Sequence, residues 1–285
     1  MKNSDQLIST ARQKAKEVLL SCSRSAGFFA SGLPGGYEAV WARDSMIASL
    51  GAGLFSEFKE PFRASLLTLA KHQSERGQIP NAVGSYNRER RSDVTYNSID
   101  SSLWFIIGSY YYRNAYKDNP TFKSLENSVK QAALWLNYQD PNEDGLPTQL
   151  PTTDWQDIFP HKYGRTINTQ SLYYKILLLT KRKKEAAKLK ATVNGRIRKY
   201  LSLYDQRRGY YLPWIWKSHG PIREEGYWFD TLGNLLAIIT GLATPQIAKS
   251  ILSYIDRQKI NRPFPCLAIY PPLKRSDKEW QDYFE

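Results

Sequence analysis

The chain has 285 residues, enough for one large domain or two small ones. Hydrophobic residues make up 41% and charged residues 24%, which fits a folded globular protein and excludes a disordered or fibrous one. The formal net charge is +13, but the basic residues are dispersed and no nucleic-acid-binding signature accompanies them, so no specific nucleic-acid partner is expected.

Residues 5–24 read as a helix, capped by Ser4 or Asp5, with Leu7, Ala11, Ala15, Val18 and Leu19 at helical spacing. Ser31 to Gly36 is a turn, and it leads into Tyr37–Ser45. Helices follow from Ser45 to Leu54 and from Pro61 to Gln73, with Pro61 in a first turn. A polar loop, Glu75 to Thr95, carries the charge run Asn87–Asp93. Helical spacing resumes from Asn97 through Tyr111 and again over 121–138. Two more helices cover Asn168–Lys181 and Lys184–Leu203, and the last two cover Asp230–Leu242 and Thr244–Gln258, with Pro245 opening the latter. Gly209–Glu225 is aromatic and turn-rich, with Trp214, Trp216 and Gly220-Pro221. The end, with Arg262-Pro263-Phe264-Pro265 and Tyr270-Pro271-Pro272, reads as extended and irregular. No run alternates as a strand does. The expected class is all-α, built from paired helices whose long polar loops gather at one end.

Cys22 and Cys266 lie far apart, which fits a reducing compartment without a disulfide framework. The polar N-terminus shows no signal peptide, and no run approaches the ~20 apolar residues of a membrane span, so the cytoplasm is the expected location and no membrane the expected partner. With 3 His and 2 Cys no metal site is expected, and no other cofactor is signalled.

The stretch Thr152-Thr153-Asp154-Trp155-Gln156-Asp157-Ile158-Phe159 carries two carboxylates three residues apart, with an indole beside the first. It follows the turn Asp140 to Pro147. Aromatic faces stack on pyranose rings, and carboxylates bind hydroxyls or trade protons with a glycosidic oxygen. A solvated loop with an anchoring tryptophan is the plain alternative.

Trp41-Ala42-Arg43-Asp44-Ser45 resembles the W-x-R-D-S motif of the six-hairpin glycosidases, which include glucoamylases, amylo-α-1,6-glucosidases and alkaline/neutral invertases. Ser98-Ile99-Asp100-Ser101-Ser102-Leu103-Trp104-Phe105, Trp155-Gln156-Asp157, and Phe229-Asp230-Thr231-Leu232-Gly233-Asn234 with Leu242-Ala243-Thr244-Pro245 follow in the order those families keep. The resemblance implies an (α/α)6 toroid of helical hairpins. It implies that Arg43 and Asp44 bind sugar hydroxyls and that Asp157 is the general acid. Asp100, Asp154, Glu224, Glu225 and Asp230 join the candidate sugar-binding residues, and Trp41, Trp104 and Trp155 are candidate sugar platforms, with a core role the alternative for each tryptophan. Asp154 could also supply the like charge that raises the Asp157 pKa.

The resembled enzymes invert the anomeric centre with an acid and an opposed base. Their base lies in a C-terminal segment beyond the region matching Tyr270-Pro271-Pro272, which this chain does not reach. About nine helices are read here, against the roughly twelve of a complete toroid. The chain is therefore expected to be an incomplete toroid: truncated, completed by a homo-oligomeric partner or a second chain, or using an internal base from Glu224, Glu225 or Asp230. The implied activity is hydrolysis of α-glucosidic bonds, debranching type. A sucrose-cleaving invertase and a non-catalytic carbohydrate-binding remnant are the alternatives.

Overall fold

The computed structural model describes residues 2–85, 92–158, 160–216, 223–262 and 265–280. The expectations placed on Asn87–Arg91, Phe159, Gly220-Pro221, Pro263-Phe264 and Glu285 lie outside the described residues. The chain divides into two compact units, Met1–Trp135 and Leu136–Glu285.

The first unit holds α1 (Lys2–Cys22), α2 (Ala42–Ala52), α3 (Lys59–Lys71), α4 (Asp100–Tyr116) and most of α5 (Asn119–Asn137). Helix α1 begins at Lys2, so neither Ser4 nor Asp5 is its cap. Helices α3 and α5 are one-faced: Phe62, Leu66 and Leu69 are buried on α3, and Leu125, Val129 and Ala132 on α5, each at the spacing of a single helical stripe. Helix α4 differs, because every residue from Asp100 to Ser109 is buried. It is a helix enclosed on all sides, packed against both α2 and α3. A Cβ at Gly108 would collide with the Met46 side chain, so a glycine here is what lets α4 lie close against α2. Strands Val40–Trp41, Ala82–Val83 and Val94–Thr95 form a small antiparallel ladder directly before α2.

The second unit repeats the plan. It holds α6 (Ile167–Leu179), α7 (Lys183–Val193), α8 (Thr231–Ile239) and α9 (Pro245–Arg257). Helix α6 is buried without interruption from Ile167 to Tyr174, whereas α9 buries only the stripe Ile247, Ile251, Ile255. Helix α6 packs on α7 and α8. A Cβ at Gly233 would stand 2.5 Å from Ile167 Cγ2, so glycine again permits the close approach of alternate helices. The Thr166, Asp230 and Thr244 side chains cap α6, α8 and α9 by accepting from the N–H of Thr169, Gly233 and Ile247.

Two sequence expectations need correction here. The seventh helix ends at Val193, not Leu203. Gly195, at φ +72°, and Arg196 donate back to Thr192 and Ala191, the paired bonds of a Schellman stop. Short strands are also present. Arg165–Thr166 and Glu224–Glu225 flank Trp214–Trp216 in an antiparallel sheet, and Ile269–Tyr270 pairs with Phe229–Asp230. At two or three residues each, they are too short to leave a period-two pattern in the sequence.

Candidate active site

In the first unit the expected site residues stand at the starts of the packed helices α2 and α4. Arg43 Nη1 lies 3.0 Å from Asp100 Oδ2, and the Ser98 hydroxyl donates to Asp100 Oδ1. Asp100 is wholly buried, so its charge is met by one guanidinium and one hydroxyl in a dry setting. Asp44, one residue on, is exposed on the first turn of α2, and Trp41 is half-buried with its ring edge-on to Tyr37 at 5.6 Å. Both remain at least partly open to solvent. Trp104 does not: it is only 5% exposed within the buried run of α4, so its role is in the core and not as an open platform.

In the second unit one buried lysine organises the carboxylates. Lys162 Nζ lies 3.0 Å from Asp154 Oδ2 and 2.9 Å from Asp230 Oδ2, and all three side chains are fully buried. Burial works against the ammonium, but the two carboxylates outweigh it and hold its pKa above the usual lysine value. Asp154 Oδ1 accepts the Gln156 N–H at 2.9 Å, closing a tight turn. Asp230 Oδ1 accepts the Gly233 N–H at 3.0 Å as the cap of α8. Both carboxylates are thus committed to the protein, which corrects their expected role as sugar ligands. Asp154 is also bound to a counter-charge, so it does not act as a bare like charge on its neighbour. Asp157, at the end of the same turn, is exposed. The Trp155 ring is half-buried and lies with its centroid 5.1 Å from the Lys162 ammonium.

The three internal candidates for a base are placed differently from one another. Asp230 is the cap just described. Glu225 Oε2 is held by the Arg223 guanidinium at 2.5 Å. Glu224 is exposed and accepts the Tyr163 hydroxyl at 2.7 Å. Burial and this carboxylate push the Tyr163 phenol up to about 12. The Tyr163 ring also lies 4.2 Å from Trp214, which is itself buried.

A polar layer at the start of α6 was not anticipated. Arg165 is wholly buried and donates to Asp144, while Gln149 Oε1 accepts from both Thr166 and Thr169. Arg165 Nε and Nη1, Gln149 Nε2 and Asn168 Nδ2 are buried donors without an acceptor among the described residues. The clue in the sequence was the run Asn168-Thr169-Gln170-Ser171 inside a segment otherwise apolar enough to be a core helix. Among the described residues, no group of three or more His, Cys, Asp or Glu side chains is placed to hold a metal ion, and no helix is long and apolar enough to cross a membrane.

The amylo-alpha-1,6-glucosidase family model matches residues 2–136, nearly the whole of the first unit. Among solved structures, the GH63 mannosylglycerate hydrolase of Thermus thermophilus, in complex with Tris and D-glycerate, superposes with a TM-score of 0.69. It is 14% identical, and the match covers 90% of this chain and 79% of that one. The fold is that of the six-hairpin glycosidases. The same hydrolase in complex with glucose gives 0.67 at 15% identity, covering 90% of this chain and 80% of that one. The rhamnosidase of Klebsiella oxytoca, with rhamnose bound, gives 0.56 at 17% identity over 81% of this chain, which spans only 42% of the rhamnosidase. No curated protein matches in sequence.

Proposed function

We propose that this chain is a glycoside hydrolase of the amylo-α-1,6-glucosidase type, opening α-glucosidic bonds with inversion. The match of that family model to residues 2–136 carries the reading. The glucose complex of a structural neighbour and the exposed acidic and aromatic groups of both units support it. In the first unit Arg43, Asp44 and Trp41 are the candidates for sugar binding, and in the second Trp155 is. Asp157, presented in the open by the Asp154 turn, donates the proton to the leaving oxygen. An inverting mechanism places the base roughly 6.5–9.5 Å away, with a water between. Of the internal carboxylates proposed for this role, Glu224 is the exposed one.

The test is hydrolysis of isomaltose, panose, maltose and sucrose by the wild type, Asp157→Asn and Glu224→Gln, with the product anomer read by NMR. The expected result is β-glucose from isomaltose and panose, lost by at least about a hundredfold in Asp157→Asn. An equal loss in Glu224→Gln identifies the base. Turnover of sucrose alone would overturn the debranching assignment, and sugar binding without turnover would overturn catalysis.

A further inference from the structure

We propose that Lys162 is the positioning residue of this site: its buried ammonium straps the turn that carries Asp157 to the capped start of α8, and so sets where the Asp157 carboxylate is presented. The proposal rests on the reading of Asp157 as the acid.

The geometry is a chain of contacts. One oxygen of Asp154 is spent on the Gln156 N–H, the amide just before Asp157, and the other faces Lys162 at 3.0 Å. One oxygen of Asp230 is spent on the Gly233 N–H, and the other faces Lys162 at 2.9 Å. The lysine therefore joins two backbone features, a turn and a helix start, that are 76 residues apart by the numbers of the joined aspartates, 154 and 230. The Trp155 ring lies over the same ammonium, so the indole two residues before Asp157 is placed by it as well. A buried lysine between two carboxylates is a poor device for stability alone, because apolar side chains of like volume serve as well or better. It is suited to fixing one arrangement, since slippage of either partner leaves a charge buried and unpaired. The position of an acid matters steeply: misplacement by about 1 Å costs on the order of a hundredfold in rate.

The test uses Lys162→Met, Lys162→Arg and Asp154→Asn in the full chain. Asp154→Asn severs the strap yet leaves Lys162 and Asp230 as a balanced buried pair, so it serves if Lys162→Met does not fold. Each variant is measured for kcat and KM on isomaltose and for amide exchange over 150–158. In Lys162→Met and Asp154→Asn, kcat falls by at least about tenfold, more than KM rises through any shift of Trp155. Exchange at Gln156 and Asp157 speeds up while α7 and α9 keep their protection. Lys162→Arg recovers part of kcat. A lowered thermal midpoint with wild-type kcat and wild-type exchange in Asp154→Asn would overturn the proposal. If the wild type turns over no glycoside, the hydrolase reading fails and exchange alone decides: faster exchange at 156–157 in Asp154→Asn sustains the strap, and unchanged exchange removes it.

Discussion

The Arg43 guanidinium stands 3.0 Å from the Asp100 carboxylate, joining the first turn of α2 to the first turn of α4. Asp100 has no exposure, so this contact is not a surface ion pair. Removing Arg43 leaves a buried carboxylate held by the Ser98 hydroxyl. Arg43→Met is expected to cost about 3–5 kcal/mol in denaturant unfolding. Adding Asp100→Asn to that variant removes the stranded charge and is expected to restore part of the loss. If the double variant were as unstable as the single one, the cost would lie in packing and not in charge.

Lys162 makes stability depend on alkaline pH. Its folded pKa is raised above the 10.5 of the unfolded chain, because Asp154 and Asp230 outweigh the burial that opposes them. The sign follows: the contribution is complete below pH 10.5 and is lost as pH rises through the folded value. Thermal midpoints of the wild type and Lys162→Met are expected to converge above pH 10.5.

Asp118 gives an acid-side counterpart at the start of α5. Its carboxylate is lowered from 3.8 to about 2, first by the Thr121 N–H and then by the Tyr112 and Thr121 hydroxyls and Lys59. The stabilisation is present above pH 3.8 and is lost as pH falls towards 2. Asp118→Ala is expected to lose about 0.5–2 kcal/mol at neutral pH, the range for a helix cap. The gap from wild type should close in acid, which a pH series of urea curves checks.

Two glycines separate close packing from helix propensity. In Gly233→Ala the new methyl lies 2.5 Å from Ile167 Cγ2 and 3.0 Å from Asp230 Oδ2, so it wedges α8 from α6 and presses on the Lys162 site. A loss of about 1–3 kcal/mol is expected. Gly51, in α2, has nothing within 4 Å of where its Cβ would be. Gly51→Ala is expected to gain about 0.5–1 kcal/mol. Paired melting curves check both, and a loss in the second would contradict the open surroundings of Gly51.

Helix positions were legible because apolar stripes such as Ile247, Ile251 and Ile255 carry a 3.6-residue period. Starts marked by Pro245 or Asp230 and the stop at Asn194-Gly195 have local causes, although the stop was overlooked. Around Arg43 and Asp100 the sequence shows charged side chains at two helix starts, but not that they pair with each other. What a single sequence does not carry is the choice of partner. Nothing local to His161-Lys162-Tyr163 distinguishes a buried lysine from a solvated one. Asp154 and Asp230 therefore read as free ligands when they are the two ends of one internal contact. The same holds for Trp104: an indole reads the same whether its helix is enclosed or half-open, and only its burial places it in the core.

The enclosed helices α4 and α6 and the outward α1 impose opposite terms on anyone handling this protein. From Asp100 to Ser109 and from Ile167 to Tyr174 every side chain is covered, so a library of substitutions there should return few survivors. Along α1, Leu7 and Ile8 stand 70% and 66% exposed. Fluorophores, cross-linkers and affinity handles belong there, on side chains that are not part of a covered core.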